Sequence, residues 1–245
     1  YYWVCDQLEV YKAVQWEYGR LNISGTVLSK RKLTRLVSEG IVRSWDDPRL
    51  YTLAALRRRG FTPAAINRFV EELGITTATT TVDVRRLENC VRDDLNRTTA
   101  RRMVVPDPLL LVIQNLPEGF SEDIELPNDP RDASKGTSVV PLTTRIYIDR
   151  ADFCLADPVD PHYFRLAPAQ PVGLWKAGVV EYVAHEVDSS GRVCTVLVNL
   201  DRAAEPSNRP RTYIQWVPAP VAIPAELRLY SSLFRSDNPD AAPGG

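Results

Sequence analysis

Residues 17 to 32 combine a short apolar run, a turn and three consecutive cations: Glu17-Tyr18-Gly19-Arg20-Leu21-Asn22-Ile23-Ser24-Gly25-Thr26-Val27-Leu28-Ser29-Lys30-Arg31-Lys32. Ser29 is of a type that caps a helix, because its hydroxyl can accept a bond from an orphan N–H of the first turn. Lys30, Arg31 and Lys32 then fall on that first turn, where the positive end of the helix dipole disfavours cations. Three cations held against the dipole suit an anionic ligand, and a helix N-terminus is a ready phosphate site. The alternative is a solvated basic helix start.

The elements that must position this stretch follow from spacing. Residues 1–11 suit a short helix with Tyr2, Val4, Cys5 and Leu8 on one side, and the aromatic opening Tyr1-Tyr2-Trp3 is expected to be buried. Val14 to Ile23 reads as a strand that enters the basic loop. Ser29 to Glu39 reads as a helix, with Leu33, Leu36 and Val37 at helical spacing and Gly40 as its stop. Thr52 opens a helix over residues 53–59, which Gly60 ends. Thr62 and Pro63 open another, with Ile66, Phe69, Val70 and Leu73 as its stripe and Gly74 as its end. Thr76 to Thr81 reads as a connector. Asp83 then caps a helix over residues 84–96 with Leu87, Val91 and Leu95 inward.

After residue 100 the period changes to short apolar runs, at 103–105, 109–113, 124–126, 146–148, 172–187, 193–200, 213–217 and 227–230. Pro, Gly, Asn and Asp separate them, and most of the 19 prolines lie here, as strand edges and turns require. Asp188-Ser189-Ser190-Gly191 reads as a hairpin turn. The fold class is therefore α+β: a helical part over 1–100, then an antiparallel β-barrel over 101–245.

Charge is divided between these parts. Residues 1–105 hold 18 Lys and Arg against 12 Asp and Glu, a net of +6, whereas residues 106–245 hold 12 against 19, a net of −7. The basic part attracts polyanions by counterion release. The acidic part argues against a generally adhesive nucleic-acid binder. Four widely spaced cysteines and two histidines exclude a structural zinc motif by spacing and give no disulfide framework, which suits free thiols in a reducing cytosol. No run of about 18 apolar residues is present to span a membrane, and no signal-peptide pattern opens the chain.

Val27-Leu28-Ser29-Lys30-Arg31 resembles the "KMSKS" loop of class I aminoacyl-tRNA synthetases. With Arg20-Leu21-Asn22 before it and Trp45-Asp46-Asp47-Pro48-Arg49 after it, the chain is similar to the glutaminyl/glutamyl branch. Residues 18–22, 50–61 and 90–96 resemble the eukaryotic-type glutaminyl-tRNA synthetases most closely, and the resemblance runs through essentially all 245 residues. Val27 stands where the general motif has its first Lys, so Lys30 alone carries that charge. The resemblance implies a helical end of a catalytic domain followed by an anticodon-binding barrel. It implies ATP with Mg2+, glutamine and tRNA(Gln) as substrates and partners, and activation of glutamine followed by transfer to the tRNA 3′ end. Glutamate–tRNA ligase and a non-catalytic tRNA-binding module are the alternatives.

The same resemblance implies roles. Lys30 would stabilise the leaving phosphates and act as the catalytic residue, with Arg20, Leu21, Leu28 and Ser29 as its ATP-binding company. An ordinary salt bridge is the other reading of Arg20. Thr76, Thr77, Thr79, Thr80, Thr81 and Asp83 would meet ribose and phosphate inside the tRNA bend. A plain loop is the other reading there. Arg101 would hold an anticodon base, with Arg102 as a confusing neighbour, because a guanidinium offers a donor fork and a stacking plane. Arg209 and Arg211 would meet the anticodon, although the family has Lys there and no Pro between.

No "HIGH"-type sequence is present, and His162 and His185 read as surface or barrel residues. The family's glutamine pocket would lie before Tyr1. The chain is thus expected to be the C-terminal end of the catalytic unit with a barrel that continues beyond it, inactive alone, cytoplasmic and holding no metal of its own. Arg57-Arg58-Arg59 reads as a mixture of internal salt bridges and phosphate-facing charge. Residues 46–49 read as a turn with capping carboxylates rather than metal ligands.

Overall fold

A computed structural model describes residues 1–156, 160–203, 210–239 and 241. Its contacts divide it into two units. One comprises Tyr1–Thr99 together with the segment from Arg228 on, and the other is Ala100–Leu227.

Apolar residues at helical spacing, with cap residues before them, build the first unit. Its elements are α1 (Tyr2–Gln7), β1 (Leu21–Ile23), α2 (Lys30–Ser38), α3 (Leu53–Arg58), α4 (Pro63–Leu73), β2 (Thr80–Val82) and α5 (Val84–Thr98). The side chains of Thr52, Thr62 and Asp83 accept from Ala55 N at 3.1 Å, Ala65 N at 3.1 Å and Arg85 N at 2.8 Å. Each satisfies a donor that a helix start leaves unpaired. Gly40, Gly60 and Gly74 follow α2, α3 and α4 with positive φ, the conformation that stops a helix at least cost to glycine.

Two apolar clusters hold this unit. Leu56, Ala65, Phe69, Val82, Leu87, Cys90 and Val91 form one. Val27, Leu33, Val42, Leu50 and Ala55 form the other, with Leu233 and Phe234 packed against it. The contact division places the segment from Arg228 on with this unit, where the expected second domain ran to residue 245. Two expectations fail here. Tyr1, Tyr2 and Trp3 are 56%, 48% and 72% exposed, because α1 turns only Cys5 inward. The strand expected from Val14 shrinks to Leu21–Ile23, since it pairs only where β2 lies beside it.

The second unit is mostly strand: β3 (Pro108–Ile113), β4 (Ser121–Pro127), β5 (Thr137–Thr143), β6 (Arg145–Asp149), β7 (Val172–Leu174), β8 (Gly178–Val187), β9 (Val193–Asp201), β10 (Tyr213–Ile214) and β11 (Val217–Pro218). Seven of these form one sheet in the order β10-β7-β8-β9-β3-β6-β11, and β4 pairs with β5 separately. The sheet is mixed rather than wholly antiparallel. β3 with β9 and β10 with β7 run parallel, because long connections separate those partners in the chain. Alternating residues such as Leu109, Leu111, Ile113, Ile146, Ile148, Val196 and Val198 fill the core, with Trp216 fully buried beside them.

The hairpin at 188–191 forms as expected. Asp188 Oδ1 accepts from Ser190 N at 2.8 Å and Arg192 N at 3.1 Å, and Gly191 takes φ +79°. The runs at 103–105 and 227–230 form no strand. β5 was not among the expected runs; it carries Pro141 and lies in a two-stranded sheet, where the missing donor costs no second ladder. All four cysteines are free.

Candidate functional site

The lysine-bearing loop is fixed at its entry and its exit. Ser24 N donates to Val82 O at 2.9 Å and Gly25 N to Asp237 O at 2.8 Å. Val27, 3% exposed, anchors the middle, and Leu33, one turn into α2, anchors the far side. Between them Leu28 and Ser29 are half-buried and Lys30 is exposed, with no ion pair among the described residues. Ser29 does occupy the N-cap position of α2, but its side chain makes no cap bond, contrary to expectation. The first-turn N–H groups of α2 are therefore left without a side-chain acceptor beside exposed Lys30 and Arg31. That combination can take an anion.

The threonine segment is more than a connector. β1 and β2 pair in parallel, so that Leu21 faces Thr80 and Asn22 faces Thr81. Gly19 N donates to Thr76 O at 2.6 Å, and a Cβ at Gly19 would overlap the Ala78 carbonyl. The candidate ATP residues Arg20 and Leu21 are thus brought beside the candidate tRNA residues. Thr76, Thr77, Thr79, Thr80 and Thr81 are all exposed. Thr76 Oγ1 accepts from Ala78 N at 3.1 Å, and Asp83 caps α5. Arg20 is exposed and makes no ion pair among the described residues.

Behind the loop, Asp47 organises the link from α2 to α3. It is 3% exposed and accepts from Arg43 N at 3.1 Å, Arg49 N at 3.1 Å, Arg49 Nε at 2.9 Å and Arg49 Nη2 at 2.8 Å. The Arg49 guanidinium holds this carboxyl well below the usual carboxylate range. Of the two carboxylates read as caps in the 46–49 turn, Asp47 takes backbone N–H groups, whereas Asp46 accepts from the Ser44 hydroxyl. Arg58 reaches Asp46 at 3.3 Å. Arg59 lies 3.7 Å from Glu88 and 4.8 Å from the Phe61 ring centroid. Arg57 remains exposed with no ion pair among the described residues.

In the second unit, Arg101 and Arg102 line a cleft of about 640 Å³. Arg101 N donates to Asn128 O at 2.9 Å, which fixes the backbone, while its guanidinium is 46% exposed and 3.9 Å from Asp129. Asp129 is itself held by Lys135 at 2.8 Å, and that bond lowers its pKa. Arg102 Nη1 donates to Arg101 O at 3.0 Å. Trp175, Tyr213 and Gln215 also line it. Sequence reasoning did not single out these three; for Tyr213 and Gln215 the available signal was the aromatic-rich stretch 213–216 shortly after Arg211. Arg211 is not part of that lining and stands 5.4 Å from the Phe164 ring centroid. Arg209 lies outside the described residues.

His185 Nδ1 shares a 2.8 Å bond with the Tyr182 hydroxyl, and His162 sits in an exposed turn. Among the described residues no group of three His, Cys, Asp or Glu side chains is placed to hold a metal ion. No helix among them is long and apolar enough to cross a membrane.

Comparison with known proteins assigns both units. Residues 1–97 match the family model "tRNA synthetases class I (E and Q), catalytic domain", and residues 99–201 match "tRNA synthetases class I (E and Q), anti-codon binding domain". The glutamine–tRNA ligase of Saccharomyces cerevisiae is 46% identical over 255 residues, which cover 100% of this chain and 31% of that protein. The Bos taurus glutamine–tRNA ligase is 46% identical, covering 100% and 32%. That of the bacterium Tolumonas auensis is 40% identical, covering 99% and 44%. The chain thus spans about a third of the length of the first two of these curated relatives. With a lysine loop in the part that matches the catalytic domain and an arginine-lined cleft in the other unit, the chain belongs to the class I tRNA synthetases of the glutamyl and glutaminyl branch.

Proposed function

We propose that this chain supplies the phosphate loop and the anticodon-reading part of a glutamine–tRNA ligase. The observation that carries the reading is identity of 46% to glutamine–tRNA ligases across the whole chain. In the reaction, the glutamine carboxylate attacks the α-phosphorus of ATP and pyrophosphate leaves. A ribose hydroxyl of the terminal tRNA adenosine then attacks the aminoacyl carbonyl and AMP leaves. Mg2+ enters with ATP as substrate. Such chemistry is mostly positioning and charge stabilisation.

Lys30 is the residue for that work. Its ammonium would meet the leaving phosphates as their charge grows, with Leu28 and Ser29 shaping the loop and the uncapped start of α2 adding N–H donors. Arg20 and Leu21, at the start of β1, face the adenosine. The hydroxyls of Thr76, Thr77, Thr79, Thr80 and Thr81 meet ribose and phosphate, with Asp83 beside them. In the second unit the sheet and its hairpin form the anticodon-binding barrel, with Arg101 on a splayed base and Arg209 and Arg211 on the same loop of RNA. The setting is the cytosol.

The test is made in a full-length protein carrying this chain, with tRNA(Gln) charged in parallel with glutamine and with glutamate. Glutamine alone should be attached. Lys30→Ala should lower the activation rate by roughly 10²–10³, the usual loss for one transition-state donor, and leave tRNA affinity unchanged. Preference for glutamate would move the chain to the other ligase of the branch. Charging with neither would make it a tRNA-binding module.

A further inference from the structure

The strand pair β10 and β7 carries a feature that its sheet pairing does not require. Tyr213 is the register partner of Gly173. Backbone bonds bracket the pair, from Gly173 N to Thr212 O and from Trp175 N to Ile214 O, each at 3.0 Å. Strand alternation sends Ile214 into the core, where it is 5% exposed, and turns Tyr213 to the other face, where it is 51% exposed. The Tyr213 ring lies so close over Gly173 that a Cβ there would overlap three of its carbons. The close approach requires glycine here, and no positive φ is involved.

A second aromatic fixes the ring from the side. Trp175 meets Tyr213 edge to face, with centroids 6.4 Å apart and planes at 86°. Trp175 is itself tied down, since its carbonyl accepts from Nε1 of fully buried Trp216 at 3.0 Å. Tyr213 is therefore an aromatic ring set against the strand at Gly173 and against Trp175, with half of its area open. It lines the same cleft as Arg101, Arg102 and Gln215. A fixed aromatic face beside guanidinium forks is the chemistry that holds unstacked bases of single-stranded RNA.

We propose that Tyr213 is a stacking platform for one splayed base of the anticodon loop, and that Gly173 is the positioning residue that lets the ring lie in place. Arg101 and Arg102 engage the edge of that base or its phosphate, while the ring takes its face. This deepens the anticodon reading of the cleft and rests on it.

The experiment uses the 245-residue chain and a tRNA(Gln) anticodon stem-loop with 2-aminopurine placed at each anticodon position in turn. Stacking quenches 2-aminopurine, so one position should darken on binding. Tyr213→Ala should abolish that quenching and weaken binding roughly 5- to 150-fold, the range for loss of one base–aromatic stack, with the salt dependence unchanged. Tyr213→Phe should keep the quenching and bind within about twofold. Gly173→Ala retains the ring but displaces it, and should lose both affinity and quenching. Two outcomes overturn the platform while leaving the anticodon reading intact: quenching that survives Tyr213→Ala, or, should that variant unfold, a Gly173→Ala protein that binds and quenches as the parent does. Equal binding of the parent to a scrambled loop would overturn the anticodon reading itself, and the platform with it.

Discussion

Replacing Asp47 by Asn should destabilise the first unit more than most surface changes, although Asp47 touches no proposed substrate. The carboxylate is 3% exposed and accepts four bonds of 2.8–3.1 Å, two from the backbone N–H groups of Arg43 and Arg49 and two from the Arg49 guanidinium. Asparagine offers one acceptor oxygen where two serve, and its amide N–H groups would point at donors. Hydrogen bonds to a charged group contribute about 1.5–3 kcal/mol each, and breaking a buried pair costs about 3–5 kcal/mol. The Arg49 side chain is 33% exposed, so water recovers part of its share. The loss should then be about 2–4 kcal/mol, read as a lower urea midpoint for the transition of the first unit. The effect should also depend on pH. Arg49 holds the folded carboxyl below its ordinary range, so at acid pH the unfolded chain binds a proton that the folded chain refuses. The Asp47 contribution is present above the unfolded value of about 3.9 and is lost as pH falls below it. The two proteins should therefore converge as pH drops from about 5 towards 3. A loss under about 0.5 kcal/mol at neutral pH, or a gap that widens in acid, would refute this account.

Three further outcomes follow from the geometry. Gly19→Ala should disrupt the pairing of β1 with β2 and cost about 1–3 kcal/mol, because the added Cβ meets a backbone carbonyl that cannot swing away; an unchanged melting temperature would show that the strands separate freely. Arg101→Ala should cost about 1–3 kcal/mol for cognate tRNA and relax discrimination at one anticodon base, while Arg57→Ala should weaken all tRNAs alike and reduce the salt slope by about one. Charging of cognate and anticodon-mutant tRNA at two salt concentrations separates the two, and an equal loss on both tRNAs from Arg101→Ala would make it a phosphate or structural residue. Phe234→Ala should cost about 1–2 kcal/mol, since the ring is only partly buried against the cluster that contains Val27 and Leu33, and should speed hydrogen exchange at the Gly25 amide; unchanged exchange would show that Asp237 holds Gly25 without it.

The legible parts of the fold were those with a local cause. Thr52, Thr62 and Asp83 announce helices because a cap is a bond between neighbours in sequence. The hairpin at Asp188 is legible for the same reason. Pairing between distant segments was not legible, because backbone bonds do not depend on residue type. Thr76 to Thr81 therefore read as a connector, and nothing in the composition of Leu21–Ile23 pointed to it as a partner. The antiparallel expectation failed in the same way: β3 and β9 are individually ordinary apolar strands, and their parallel register follows from the path of the chain between them. Local signals also failed where a neighbour was assumed. Tyr1, Tyr2 and Trp3 were expected inside on apolar character alone, yet α1 turns only Cys5 to the core.

The candidate site divides along the same line. Lys30 could be singled out as a candidate because a charge held at the surface against a helix dipole stands out in a sequence. Its supports are apolar or backbone groups, which do not. Val27 and Leu33 lie three residues to either side and are buried, so the loop is held by its flanks and the lysine carries no packing. The bond from Gly25 N to Asp237 O joins residues more than two hundred apart in sequence and involves no side chain. The cleft follows suit: Arg101 could be singled out because it matches a family arginine at the change of period, whereas Gly173 has no side chain to notice and is recognisable only through the ring that lies over it. Groups that act by charge are exposed and conspicuous, and groups that act by position are recognisable only once their neighbours are in place.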